Sequence, residues 1–373
     1  MSNNKINILD LNYEQVADLL STKGHRPYRA GQLLRWIYRQ CAFSYDEMSD
    51  LPIDLRSQME SISEIITMHT AEEKISSDGK TRKLLFELKD GKTIESTLMF
   101  YEKNDSRRER RTVCVSTQVG CTMNCRFCAT GQQGFERNLR AGEIIEQVLF
   151  FKRYVKQHAP SEDRELNRRA ITNVVLMGMG EPLANYDNVK QAVTMLNSKY
   201  GMELGARQIT LSTAGLVPQL IKLADEQLHL ELAISLHAAT NELRSKLMPI
   251  NRKYPLEKLI PACRYYFDRT GRRPTFEYAL FQGVNDSPEC GVELAKLLKG
   301  MNCSVNIIVG NPTECFEYRS ATLQQAMAFQ KQLFSLGIFS TIRISKGTDI
   351  DAGCGQLRSR WIEKQGRSES TGR

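Results

Sequence analysis

No stretch of about 18 consecutive apolar residues, the minimum for a membrane-spanning helix, occurs anywhere in the chain. The opening segment MSNNKINILDL has no uninterrupted apolar run of secretion-signal length. Both absences predict a cytoplasmic protein with no membrane partner. A strong imbalance of charge is missing too. Lys and Arg number 51 against 43 Asp and Glu, and the net charge of +8 is one that many soluble enzymes carry. Total charge therefore does not by itself point to nucleic acid. Composition excludes disorder, since 41% of residues are hydrophobic and 25% charged. The 373 residues suffice for one large domain and a smaller one. A disulfide framework is not expected in a cytosolic protein of this size. The ten cysteines (Cys41, Cys114, Cys121, Cys125, Cys128, Cys263, Cys290, Cys303, Cys315 and Cys354) are better read as metal ligands, reactive thiols or small buried hydrophobes.

What is present is unevenly placed. Four of the ten cysteines fall within residues 114–128. Basic residues cluster at Arg107, Arg108, Arg110 and Arg111, at Lys152, Arg153 and Lys156, and at Arg168, Arg169, Arg272 and Arg273. Near the start, His25, Arg26, Arg29, Arg35 and Arg39 interleave with Tyr28, Trp36 and Tyr38. Basic side chains attract a phosphate backbone and aromatic faces stack on bases. The same pattern also describes a solvated helix face whose aromatics turn into a core.

Residues 11 to about 60 have helical apolar spacing, with breaks at Pro27 and Pro52. Between 63 and 103 the character changes. Leu84–Leu88 and Ile94–Phe100 flank Lys89-Asp-Gly-Lys, a hairpin signal. From about 112, short β-rich runs at 113–117, 173–177, 208–212, 232–236, 275–280, 305–309 and 340–344 alternate with longer helical stretches. That alternation predicts a parallel sheet with helical crossovers, closed partly or wholly into a barrel. Several runs end in small or polar residues, as at Gly178-Met-Gly-Glu, Ser212-Thr-Ala-Gly, His237-Ala-Ala and Gly310-Asn-Pro. In a parallel barrel such ends share the face on which sites are built. Residues 364–373 are polar and read as a frayed tail.

The strongest local signal is Cys121-Thr-Met-Asn-Cys125-Arg-Phe-Cys128. Three thiolates on one short loop can grip one metal centre and leave a fourth position open, as on a [4Fe–4S] cluster whose unique iron then binds a ligand. Zinc competes, but structural zinc sites are closed by four ligands. A fourth would have to come from Cys114 or a histidine.

With Phe127 just before its last cysteine, this motif resembles the signature of the radical S-adenosylmethionine (SAM) superfamily. Gly178-Met-Gly-Glu181-Pro is similar to that superfamily's glycine-rich SAM contact. The resemblance narrows at CTMNCRFCATGQQGFERNL (121–139), which looks like the RlmN branch of RNA adenine methyltransferases. The related resistance methyltransferase Cfr matches the QQGF segment less well. MGMGEPLAN, TLSTAG, SLHA, MPIN, GVND and DIDAGCGQL follow in order, and PYRAGQLLRWIY precedes them.

The resemblance implies a partial (β/α)6 radical SAM barrel spanning 112–357, carrying a catalytic-cysteine loop. A helical RNA-contacting domain (1–62), a β-hairpin extension (63–111) and a polar tail (358–373) complete the expected layout. By the same resemblance Cys121, Cys125 and Cys128 ligate the cluster. Gly180, Glu181, Ser212, Ser235, Leu236, His237 and Asn311 contact SAM. Cys354 carries the methyl group, Cys114 resolves it and Glu95 is the base. One SAM methylates the Cys354 thiolate. A second supplies the 5′-deoxyadenosyl radical that takes a hydrogen from the S-methyl group, and the methylene radical adds to C2 of adenine. Glu95 removes the C2 proton, and Cys114 attacks the Cys354 sulfur. The implied substrates are 23S rRNA near the peptidyl-transferase centre and tRNA next to the anticodon. An electron donor such as flavodoxin or ferredoxin is implied as partner, and a monomeric state is expected. Adenine C2 is not nucleophilic, so a radical route is chemically apt. Flanking Gly353 and Gly355 leave the backbone at Cys354 open to a substrate. The alternatives are a Cfr-like enzyme acting at C8, a non-catalytic iron–sulfur RNA-binding or redox-sensing protein, and a radical SAM enzyme with a small-molecule substrate.

Overall fold

Asn12 starts the first helix, Tyr13–Thr22, by a reciprocal cap: its side chain accepts from Gln15 N, and the Gln15 side chain accepts from Asn12 N. Residues of that helix's apolar face, Val16 and Leu20, pack in one core with Leu33, Leu34 and Ile37 of the next helical stretch, Arg29–Gln40. The last turn of that stretch is a π-helix, stopped by Cys41 in the left-handed region at φ 63°. A third helix, Ile53–Ile62, follows, and the unit closes where β1 (Ile6–Asn7) pairs parallel with β2 (Ser63–Glu64). The computed structural model describes residues 5–102, 109–158, 169–309, 318–344, 347–350, 353 and 355–370.

The helical unit sits on a long helix, Ala141–His158. Lys152 Nζ donates to Tyr38 O at 2.5 Å, Lys156 Nζ to Arg39 O at 3.0 Å and Arg153 to Cys41 O at 3.2 Å. Cations at the carbonyl end of a helix satisfy its orphan acceptors and its dipole. This basic cluster, a candidate RNA contact by its sequence, is thus engaged in docking the N-terminal unit.

One ten-stranded sheet carries the remainder. β3 (His69–Ile75), β4 (Thr81–Glu87), β5 (Thr93–Tyr101) and β6 (Arg110–Cys114) are antiparallel neighbours. The hairpin expected around Lys89-Asp-Gly-Lys is the β4–β5 pair. β7 (Gln118–Gly120) and β8 (Phe135–Asn138) form a separate ribbon. Then β9 (Asn173–Leu176), β10 (Ile209–Thr213), β11 (Glu231–Ser235), β12 (Thr275–Leu280), β13 (Ser304–Val309) and β14 (Ser340–Ile344) run parallel. β6 is the joint, antiparallel to β5 and parallel to β9. The order β14-β13-β12-β11-β10-β9-β6-β5-β4-β3 is an open, partial barrel with an antiparallel extension on one side. Helices cross between the parallel strands, because parallel neighbours need long connections. Among the described residues no helix is long and apolar enough to cross a membrane.

Residues 356–370 form a helix, so the reading of a frayed tail fails for 364–370. The reason lies outside its own sequence, in a cap supplied from β5.

Candidate active site

β7 and β8 pair with Gln118 opposite Asn138, and residues 121–134 between them fold into a tight loop. Cys121 N donates to Gly134 O at 2.8 Å and Cys128 N to Cys125 O at 3.2 Å, while Asn124 turns the chain at φ 50°. Arg126 N ties the loop to Leu247 O at 3.0 Å. Cys121, Cys125 and Cys128 all line one cavity of about 400 Å³. Burial pushes the Cys121 thiol up to about 12 and holds Cys125 well above its usual range, with Cys128 also raised; neighbouring loop thiols add to the first two. Thiols held this way ionise when a metal supplies the positive charge. Among the described residues no three His, Cys, Asp or Glu converge as they would on a single ion. The three thiols instead border a volume, an arrangement that fits a cluster better than mononuclear zinc.

Strand ends build the next wall. Gly180 (φ +103°) lies flat on the β7 segment: a Cβ there would stand 2.6 Å from Gln118 Cβ. Gly178 is as close, with its Cβ position 2.6 Å from Val115 O. The glycines thus leave a backbone cradle on the cavity. Glu181 is buried, and its carboxylate accepts from Leu183 N at 3.0 Å and Ala214 N at 2.7 Å. Desolvation raises it to about 7. Ser212, Ser235 and His237 line the cavity as well. His237 sits at φ 55° and its Nδ1 accepts from Ala279 N at 2.9 Å, which leaves Nε2 to carry the ring proton. Phe127 stands edge-on to the His237 ring with centroids 4.6 Å apart. Leu236 is different: its side chain is in the hydrophobic core, its N–H donates to Glu277 O at 3.0 Å, and it does not line the cavity. Asn311 and Cys354 lie outside the described residues.

A third wall comes from the faces of the antiparallel strands. Lys83, Thr97 and Cys114 form one cross-strand row through β4, β5 and β6, and Glu95 shares that face two residues before Thr97. Cys114 lines the cavity as a free thiol, and burial pushes it up to about 11. Arg343, Lys83 and the Met177 backbone act in the opposite direction. Lys83 and Glu95 are almost wholly buried and pair at 2.8 Å. Lys83 Nζ also donates to Gly353 O at 2.7 Å. Glu95 Oε2 accepts from Gly355 N and Oε1 from Arg358 N, both at 2.7 Å. One ion pair therefore holds the peptide groups on both sides of position 354 and caps the last helix. Gly355 (φ +81°) presses on the cysteine loop, where a Cβ would meet Thr130 Oγ1 at 2.5 Å. Gln133 Nε2 adds a bond to Gly355 O at 2.8 Å.

Two family models match the chain. Residues 6–65 match the ribosomal RNA large subunit methyltransferase N-terminal domain, and residues 115–297 match the radical SAM superfamily. A protein of Dictyoglomus thermophilum named "Probable dual-specificity RNA methyltransferase RlmN" is 43% identical over 96% of this chain and 99% of its own length. A protein of the same name from Bacillus anthracis is 44% identical, over 97% of this chain and 96% of its own. The chain belongs to the RlmN family. The crystal structure of a radical SAM methyltransferase from Sphaerobacter thermophilus superposes with a TM-score of 0.87 at 43% identity, covering 94% of this chain and 98% of that one. Radical SAM proteins use a [4Fe–4S] cluster and SAM, and the three-thiol loop beside a glycine cradle suits both in this RlmN-family chain.

Three groups were not singled out from the sequence, two that line the cavity and one, Lys83, that stands behind Glu95. Lys83 looks like an ordinary strand lysine until the hairpin register is known. Glu277 lines the cavity and accepts from Asn306 Nδ2 at 2.9 Å, while Arg343 reaches Met177 Sδ at 3.7 Å. A lone charge at an inward position of an apolar strand is a usable signal, since such groups are rarely buried without a task.

Proposed function

We propose that this chain methylates C2 of adenosine in 23S rRNA and in tRNA, with Cys354 as the methyl carrier. The observation that carries the reading is the Lys83–Glu95 pair, which ties the residues flanking position 354 to the strand face bearing Cys114, beside the three-cysteine loop. The cluster and SAM, when bound, supply the radical that removes a hydrogen from an S-methyl group. Cys121, Cys125 and Cys128 would hold the cluster; Gly180, Glu181, Ser212, Ser235, His237 and Asn311, with the backbone at Leu236, would hold SAM.

Cys354, as thiolate, takes a methyl group by displacement. Once the carbon of that methyl group, as a methylene, is bonded to C2, the adduct would return one electron to the cluster or its donor and Glu95 would take the C2 proton. Its Oε2 accepts from Gly355 N and Lys83 Nζ, whereas among the described residues Oε1 accepts from Arg358 N alone. Oε1 is thus the atom assigned to the proton. Cys114, as thiolate, would attack the Cys354 sulfur and break its bond to the methylene carbon, which takes up a proton to become the methyl group; the disulfide left behind is reopened by an external reductant. The aromatic and basic residues Tyr28, Arg26 and Arg29 of the N-terminal unit would meet the RNA. The electron donor would be a flavodoxin or ferredoxin, and the protein would act as a cytoplasmic monomer.

The test is anaerobic reconstitution followed by incubation with SAM, dithionite and rRNA or tRNA, with the nucleoside product identified by mass and chromatography. The expected product is 2-methyladenosine from both RNAs. Recovery of 8-methyladenosine would move the reaction to C8. Cys354→Ala should abolish product while RNA binding persists; full activity in that variant would refute the mechanism and favour a non-catalytic role for the residue.

A further inference from the structure

The helix Asn241–Leu247 turns one cation inward. Arg244 is fully buried, and among the described residues its guanidinium donates to neutral oxygens only: Ala214 O at 2.7 Å, Ser235 O at 3.1 Å and Asn251 Oδ1 at 2.8 Å. Its Nε is buried with no acceptor. Burial lowers its pKa to about 10, so it remains a cation at neutral pH. Among the described residues the acidic groups that act on it are two thiols, Cys125 and Cys263. The Glu181 carboxylate is bonded to the N–H of Ala214, whereas Arg244 takes that residue's carbonyl. A charge desolvated without an anionic partner is costly, and folds keep one where an anion compensates it.

The surroundings point to that anion. Ala214 and Cys125 share one small apolar cluster with Ala238, Leu247 and Met248. Leu247 ends the helix that carries Arg244, and its carbonyl accepts from Arg126, the residue after Cys125. Arg244 thus stands one layer behind the cysteine loop, outside the cavity wall, with neutral His237 between β11 and the same loop.

We propose that Arg244 is the fixed counter-charge of the iron–sulfur cluster and sets its reduction potential. The inference rests on the cluster occupying the three-thiol loop. A [4Fe–4S]2+ core with three thiolates has net charge −1, and one electron from an external donor makes it −2, with no bond to the protein formed or broken. A buried cation at this position favours the more negative state, because charge and burial both tune cluster potentials. Arg244 is a positioning and tuning residue, since it touches neither substrate nor iron.

The experiment is an EPR-monitored redox titration of full-length, anaerobically reconstituted protein without SAM, with iron content measured on every sample. Arg244→Gln should make reduction at least tenfold less favourable, a shift of about 59 mV to more negative potential. Arg244→Lys, which keeps the charge but not the fork of hydrogen bonds, should stay near wild type. Asn251→Asp sets a carboxylate against the guanidinium with almost no change of shape and should shift the potential in the same direction as Arg244→Gln. It decides the matter if the glutamine variant does not fold. Wild-type potential in a fully loaded Asn251→Asp protein would overturn the proposal, and equal shifts in the lysine and glutamine variants would assign Arg244 a structural role only. Absence of a cluster from the wild-type protein would instead overturn the functional reading on which the proposal rests.

Discussion

The two halves of the ten-stranded sheet contribute to the cavity in different ways. The parallel half offers mainly strand ends: a glycine cradle at 178–180, hydroxyls of Ser212 and Ser235, a neutral imidazole at His237 and the buried carboxyls of Glu181 and, within β12, Glu277. The antiparallel half offers a strand face, where Lys83, Glu95, Thr97 and, at the end of β6, Cys114 stand side by side. Strand ends in α/β folds are open to small ligands, because loops there supply free backbone groups. A strand face has no free backbone, so its chemistry is done by side chains alone. The division suggests that cofactor binding and the thiol and proton chemistry are separable, with β6 as the joint.

The largest effect is expected where the strand face meets the C-terminal segment. Lys83→Met keeps the bulk of the side chain and leaves the Glu95 carboxylate buried without its cation, and breaking a buried pair this way costs about 3–5 kcal/mol. Methyl transfer to RNA should fall by about 10²-fold or more, as for a reacting group displaced by about 1 Å. SAM affinity rests on the parallel strand ends and iron content on the loop between β7 and β8, and both should match wild type. Parallel loss of SAM binding in a folded variant would show that the halves are not separable.

Gly180→Ala should invert that pattern. The new Cβ would stand 2.6 Å from Gln118 Cβ at a φ of +103°, a backbone region costing a non-glycine residue about 1–3 kcal/mol. The expected result is SAM affinity weaker by about tenfold, or about 1.4 kcal/mol. Hydrogen exchange of residues 355–364 should be unchanged, since the link between cradle and clamp, Met179 N to Ser116 Oγ and Ser116 Oγ to Glu95 O, leaves the Glu95 carboxylate untouched. Faster exchange there would couple the two walls.

Legibility in the sequence follows the same division. The parallel strands and their glycine ends could be read from local periodicity, and the cysteine triad from spacing within eight residues. The clamp could not, because Lys83 meets Gly353 across 270 positions and Glu95 meets Gly355 across 260. The final helix was invisible for the same reason: a polar segment reads as frayed unless the distant carboxylate that caps it is known. Lys152, Arg153 and Lys156 show the converse error. Local charge looks alike whether it faces RNA or the carbonyls of residues 38–41. The hairpin register was the missed opportunity. With Glu87 opposite Thr93 across the turn, strict pairing places Lys83 opposite Thr97, diagonal to Glu95.

The last predicted effect is on pH dependence and concerns His237, the neutral group among the strand ends. Its ring pKa falls from 6.5 to about 3, chiefly by burial and secondly by the charge of Arg244. Between those values the unfolded chain binds a proton that the folded chain does not. Stability present above 6.5 is therefore lost as pH falls, at about 1.4 kcal/mol per pH unit from this one group. Glu146 and Glu181, raised to about 7, act oppositely: their contribution is complete below 4.5 and is lost as pH rises through 7. The net slope mixes these terms, so a difference between variants is needed to isolate the histidine. Asn suits the site because it tolerates the left-handed region at φ 55° and its Oδ1 can accept from Ala279 N in place of Nδ1. From pH 6.5 to 5.0, wild type should lose about 2 kcal/mol more than His237→Asn. Anaerobic urea unfolding of the full-length proteins at those two pH values measures it. Identical slopes would mean that the ring accepts its proton in the folded state.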